Sequence, residues 1–234
     1  MLVDPFRFAP PDASIAYAGF ASQTFTTATV SVSSVAIGAA GANRRVFILV
    51  GIKPGAVYQS LVSATIGGVS ATLHGQTNDT TYKYNVALIS AAVSTGTTAT
   101  ISLTFSGAGD VDGDIYLASY AAYGLLSSTP VDLLTSNGDS LAQEVTQTVD
   151  VETKKGGVVL MGACVSAQAE DFDLSGVVEN FQTTIDGPGQ SNSYVVFIGG
   201  CALTDEDNAS FDIGISSSDG TTKHFDRTLA ASFR

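Results

Sequence analysis

Apolar and polar residues alternate along several short segments of the chain. In "TATISLTFS" (98–106) the apolar side chains are Ile101, Leu103 and Phe105, and "ASFDIGIS" (209–216) repeats the alternation. A period of two places one face of a β-strand in a core and the other in water. These segments therefore predict half-buried strands.

Two other segments are apolar almost without interruption: "RVFILVGI" (45–52) and "GGVVLMGA" (156–163). A strand that is apolar on both faces is typical of the centre of a sheet covered on each side. We expect both segments to be shielded central strands.

Short strand-like runs separated by turn residues fill the first half of the chain. They lie near residues 27–37, 45–53, 62–66, 69–74, 82–93, 98–106 and 114–124. No convincing amphipathic helix is present, and residues 130–141 are the best candidate for a short turn or helix. This spacing predicts an all-β fold of antiparallel β-sandwich units, Ig-like or jelly-roll-like.

The two halves of the chain match one another. Four strand-like runs of the first half recur 109 to 111 residues later; residues 84–93 match 193–202, and Gly51 aligns with Gly162. Because order and spacing agree, the sequence predicts a duplication, with about seven strands in each copy. Whether the copies share one core is left open at this level.

The predicted organisation is an extended N-terminal arm (residues 1–12), a first unit (13–126) and a second unit (127–234). The arm contains "DPFRFAPPDA", in which prolines hold the chain extended around Phe6 and Phe8. We expect these two rings to anchor the chain on a neighbouring subunit by assembly. The alternative is an arm folded back on its own sandwich.

Charge narrows the choice of partners. The chain has 22 acidic and 10 basic residues, and residues 127–234 alone hold 16 acidic against 5 basic side chains. Nucleic-acid binding needs a basic surface, so we expect no nucleic-acid partner. The sequence shows neither a signal peptide nor a segment long enough to span a bilayer, which predicts synthesis in a cytoplasm and no membrane partner.

The stretch "GDVDGD" (109–114) is the one that resembles a metal loop. Asp110, Asp112 and Asp114 stand at every second position, and calcium prefers such oxygen ligands. The EF-hand pattern fails, and the aligned stretch "DGTTKH" (219–224) keeps only one acid and gains a lysine. We therefore expect a turn, with these three aspartates as weak calcium candidates and no cofactor.

Catalytic patterns are not found in the sequence. A nucleophile needs an adjacent base, yet the two histidines, His74 and His224, are isolated and no G-x-S-x-G occurs. Cys164 and Cys201 lack metal-ligand spacing; they fall near the ends of strand-like runs, where partial exposure is expected, and both should stay reduced. The sequence predicts no enzyme.

A glycan- or receptor-binding module is the alternative function. Sugar sites use aromatic platforms, and five tyrosines are concentrated in the first half: Tyr82, Tyr84, Tyr116, Tyr120 and Tyr123. Tryptophan is absent, which disfavours this reading, and tyrosines at strand positions more often pack across strands.

Three segments carry a resemblance. "NRRVFILVGI", "SATIGGVSATL" and the closing "RTLAASF" resemble β-sandwich domains in structural proteins of tailed bacteriophages, over about residues 43–75 and the C-terminal strand. The resemblance implies a virion component of the head, neck or collar, tail, or spike. It also implies other virion proteins as partners and homo-oligomers. It carries no catalytic residues.

Overall fold

The computed structural model describes residues 12–55, 58–78, 84–106, 113–138, 146–167, 171–186, 194–217 and 223–234. Within these ranges every regular element is a β-strand, and all paired strands are antiparallel. The all-β class predicted from the alternating pattern is confirmed.

The first half of the described chain forms two sheets. Its strands are β1 Ser14–Phe25, β2 Thr29–Ala36, β3 Arg45–Pro54, β4 Leu61–Ile66, β5 Val69–Ser70, β6 Thr72–Gln76, β7 Asn85–Ala92, β8 Thr98–Phe105 and β9 Gly113–Tyr123. Sheet A has the order β1-β9-β3-β7-β6, and sheet B the order β2-β8-β4-β5.

The second half forms two more sheets. Its strands are β10 Asp132–Gly138, β11 Thr146–Thr153, β12 Gly157–Ala167, β13 Phe172–Ser175, β14 Val178–Asp186, β15 Tyr194–Thr204, β16 Asn208–Ser217 and β17 Lys223–Phe233. Sheet C has the order β10-β17-β12-β15-β14, and sheet D the order β11-β16-β13.

Two edge strands differ from the sequence predictions. The turn or helix expected at residues 130–141 is wrong, because Asp132–Gly138 pairs along its whole length with β17. Strand β1 was not predicted at all, since "SIAYAGFASQTF" is rich in small residues and alternates weakly. Both strands form because a neighbouring strand offers a complete hydrogen-bond ladder, a tertiary effect that local propensity does not contain.

The four sheets stack in the order B, A, C, D, with one apolar cluster between each neighbouring pair. Sheets A and C are therefore covered on both faces. Their central strands β3 and β12 are buried along nearly all their length, as the uninterrupted apolar runs predicted. Burial of apolar surface on this scale is the main stabilising contribution to such a fold.

The middle cluster joins the two halves into one core. The rings of Phe47 and Phe233 lie 4.7 Å apart between sheets A and C. Small residues permit the close approach of the sheets: Phe197 packs against Gly51, and Leu49 against Gly162. The two halves are thus not independently packed units, because sheet A of the first half and sheet C of the second half cover each other.

Sheets A and C have the same strand order. The strands β1, β9, β3, β7 and β6 of sheet A correspond in turn to β10, β17, β12, β15 and β14 of sheet C. The registers differ, however. Gly51 lies opposite Val86, whereas Val195, which the sequence match equates with Val86, lies opposite Ser166 rather than Gly162. The shared order supports a duplication, but the register does not follow the proposed alignment, and the duplication stays a prediction.

A buried arginine fixes the connection between β2 and β3. Arg44 is 1% exposed, and its guanidinium donates to six backbone carbonyls at 2.6 to 3.3 Å. The acceptors belong to two loops, residues 37–39 and 93–96. The planar fork of arginine suits this role, because its five N–H donors point in fixed directions.

Candidate assembly surface

The calcium candidates are only partly described. Asp110 and Asp112 lie outside the described residues, and Asp114 is in β9, between Lys53 of β3 and Thr24 of β1. Thr24 Oγ1 donates to its carboxylate at 2.7 Å, and Lys53 Nζ lies 4.0 Å from the other oxygen. Protein donors thus already engage Asp114, and the part of the chain that the structure describes holds no group of three or more potential metal ligands.

His74, which is isolated in the sequence, lies within hydrogen-bond distance of a serine in the structure. His74 lies at a bulge in β6, and its Nε2 is 2.7 Å from Oγ of Ser90 on β7. Arg45 donates to the same Oγ at 2.9 Å. The Ser90 oxygen can accept from Arg45 and still share a hydrogen bond with Nε2, as donor or as second acceptor, depending on the imidazole tautomer. Burial, and then the charge of Arg45, lowers the pKa of His74 to about 4.

This pair is a structural element of the core rather than a nucleophile and base. Ser90 is fully buried, and the rings of Phe47 and Phe233 lie 6.0 and 5.0 Å from the imidazole. A serine nucleophile must meet its substrate, which this position does not allow. The other histidine, His224, has a side chain outside what the structure describes.

Both cysteines are free and buried. The partial exposure expected for Cys164 is wrong: it sits within β12 between sheets A and C, fully buried, and burial raises the pKa of its thiol. The same expectation is wrong for Cys201, which is buried at 8% exposed, and burial raises its pKa to about 11. Thiolate is the reactive form, so both residues resist oxidation at neutral pH.

The tyrosines do not form an open aromatic platform among the described residues. Tyr120 is fully buried, and Tyr84 and Tyr116 pack against the middle cluster. Tyr123 donates its hydroxyl to the backbone carbonyl of Ala39. Tyr82 lies outside the described residues.

One edge of the stacked sheets carries an apolar groove. It lies where β1 of sheet A faces the β14 edge of sheet C and has a volume of about 410 Å³. Its lining, which we call the edge groove, consists of Ile15, Ala16, Tyr17, Val178, Asn180, Cys201, Ala202 and Leu203. Edge strands that end a sheet are the usual places where another chain is added.

The edge groove concentrates exposed apolar surface. Val178 is 67% exposed and Leu203 is 58% exposed, although both are large hydrophobic residues. Phe20, further along β1, is 39% exposed and packs on Phe181 with ring centroids 5.7 Å apart. Exposed large apolar side chains that line the same groove, as Val178 and Leu203 do, are typical of an interaction surface.

An unsatisfied polar atom lies within the groove. Asn180 occupies the bulge of β14 opposite β15, and its Oδ1 is buried without a hydrogen-bond partner among the described residues. Buried amide oxygens are nearly always paired in native proteins, because an unpaired one costs free energy. Asn180 thus places one unpaired acceptor just beneath the groove surface.

Acidic residues flank the groove. Glu179 follows Val178 on β14, and burial, then Asp173 and Asp171, raise the pKa of its carboxyl above the usual value. A basic side chain docked at this edge would be attracted by these acids.

The chain enters the fold beside the groove. Ala13 donates its backbone N–H to the carbonyl of Gly156 at 3.0 Å, and the Asp12 carboxylate lies against the same glycine. Leu203 lines both the cavity at Asp12 and the edge groove. Phe6 and Phe8, the predicted assembly residues, lie outside the described residues, so the position of their rings stays a prediction.

Sequence reasoning missed the groove. In the sequence, Val178 and Leu203 have the pattern of ordinary strand residues, and no neighbouring residue indicates that they are exposed. The groove arises from the way two sheet edges lie against each other. The bulge at Asn180 left no signal either.

Comparison of the chain with family models, with curated proteins and with solved structures found no match. Among the residues that the structure describes, none forms a helix long and apolar enough to cross a membrane.

Proposed function

We propose that this protein is a structural component of a bacteriophage virion and acts by subunit assembly rather than by chemistry. The observation that carries the proposal is the edge groove, where Val178 and Leu203 expose large apolar side chains at the border of two sheets. A protein that works alone gains nothing from such a surface, whereas a subunit covers it with its neighbour.

Other features support the same function. The resemblance of residues 43–75 to phage structural domains points to the head, neck or collar, tail, or spike. The buried, catalytically unsuited Ser90–His74 pair offers no alternative chemistry. Partners of the proposed subunit are other virion proteins and further copies of the chain, and its proposed location is the virion after synthesis in the host cytoplasm.

The proposal is tested by imaging particles that contain a labelled copy of the chain. Gold particles directed at a C-terminal tag should mark a fixed position near the head, neck or tail tube in negative-stain images. Label found only at distal tips would instead support the receptor- or glycan-binding alternative. Particles without label, with all of the tagged chain in the soluble fraction, would contradict a virion function.

A further inference from the structure

We infer that the edge groove is the docking site for residues 1–11 of a second copy of this chain, with Phe6 and Phe8 covering its exposed apolar side chains. This inference rests on the proposed assembly function and names the surface and the segment that carry it.

The chemistry of the two parts is complementary. In an extended segment, Phe6 and Phe8 point to one side and Arg7 to the other. Two rings on one side match a lining whose exposed members, Val178 and Leu203, are aliphatic.

Charge and hydrogen bonding agree with this match. Arg7, on the opposite side of the segment from the two rings, would be attracted at longer range by the acidic edge that Glu179 forms with Asp171 and Asp173. Asn180 Oδ1 is buried without a partner among the described residues, so a rotation of this side chain toward the docked segment would let it accept a backbone N–H.

The geometry at residue 12 favours a second copy over the same chain. To enter its own groove, the arm would have to reverse direction just before β1. A β-turn over residues 10–13 would be closed by the N–H of Ala13, but that group already donates to the carbonyl of Gly156. A turn one residue earlier would place Pro11 third, a position that type I turns disfavour.

The first test measures self-association of the full-length chain by sedimentation velocity over a range of concentrations. Val178→Asp and Leu203→Asp place a charge in the groove, and a chain lacking residues 1–11 removes the proposed occupant. Val62→Asp is the matched control, because Val62 is 60% exposed but lies on sheet B, away from the groove. Circular dichroism and thermal melting check that each variant folds.

The second test locates the contact. A photoreactive benzoylphenylalanine replaces Phe8, and the irradiated full-length protein is separated on a denaturing gel and digested for mass spectrometry. An adduct between two copies has the mass of a dimer, whereas an adduct within one copy keeps the mass of a monomer.

We expect the wild type and Val62→Asp to associate with the same affinity. Both groove variants and the truncated chain should associate at least about tenfold more weakly. The adduct should be a dimer that joins residue 8 to β14 or to the end of β15. Groove variants that associate like the wild type, or an adduct of monomer mass, would overturn the inference. A wild-type chain that stays monomeric at every concentration would also overturn it, but not the proposed function, which the labelled particles decide.

Discussion

Phe197 of sheet C packs directly over Gly51 of sheet A: a β-carbon built on Gly51 would lie 2.8 Å from Cγ of Phe197. Cγ sits at the base of a fully buried ring and has little freedom to move. Gly51→Ala should therefore destabilise the protein by about 1–3 kcal/mol, measured by urea unfolding.

Two further variants separate this contact from a general effect of alanine. The loss for Gly162→Ala should be smaller, because the nearest atoms are the flexible methyl ends of Leu49, at 3.0 and 3.2 Å. In a Phe197→Leu background the loss for Gly51→Ala should shrink. Equal losses in both backgrounds would mean that Phe197 does not hold the two halves at this distance.

Arg44 should be essential for stability although it contacts no carboxylate in the described structure. Arg44→Met would leave carbonyls of two loops without donors and should lower the free energy of unfolding by roughly 2–5 kcal/mol. Arg44→Lys should show most of the same decrease in the free energy of unfolding, because an ammonium reaches fewer of the six acceptors. The exposed Arg234→Met is the control and should be nearly neutral. Full stability of Arg44→Lys would show that charge, not the guanidinium fork, is what matters.

His74 should make stability fall in acid. Its pKa in the fold is about 4 against an ordinary 6.5, so the unfolded chain binds its proton first as the pH falls. Its contribution is present above pH 6.5 and is progressively lost between about 6.5 and 4. The difference between the melting temperatures at pH 7 and pH 4.5 should be smaller in His74→Gln than in the wild type, since glutamine cannot titrate. An unchanged pH dependence in that variant would assign the acid sensitivity to other groups.

Asp150 and Asp212 are directly paired across β11 and β16. A hydrogen bond to Asp212, followed by burial and the charge of that residue, raises the pKa of Asp150 above its usual value. A raised carboxyl pKa means that ionisation disfavours the fold at neutral pH. Asp150→Asn and Asp212→Asn should each raise the melting temperature at pH 7 by a few degrees.

The double variant of this pair is the control. Once one charge is gone the repulsion is gone, so Asp150→Asn/Asp212→Asn should gain little over either single change. The gain should also shrink in acid, as the Asp150 carboxyl, whose pKa is raised, takes up its proton. Fully additive gains would mean that the two aspartates act separately.

The sequence predicted the strands whose pattern is set by burial on their own faces. Segments such as residues 98–106 alternate because one face packs in a core, and β3 is apolar throughout because sheets cover both of its faces. The edge strands β1 and β10 were missed, since their pairing partners, rather than their composition, hold them in place.

The features that depend on how sheets stack were beyond the sequence. His74 meets Ser90 across the pairing of β6 with β7, beside a bulge that the residue pattern does not mark. The edge groove exists only because the edges of sheets A and C lie together, so Val178 and Leu203 could not be recognised as exposed. The roles of Phe6 and Phe8 stay predictions, because both residues lie outside the part of the chain that the structure describes.

The most direct test of the assembly function is whether the chain is part of a purified particle. Particles from the source culture are treated with nuclease, banded by density-gradient centrifugation and analysed by quantitative mass spectrometry. We predict that this chain co-sediments with the major head and tail proteins in a fixed ratio to them across the band. A chain that stays at the top of the gradient, or whose ratio to those proteins varies through the band, would contradict a structural role in the virion.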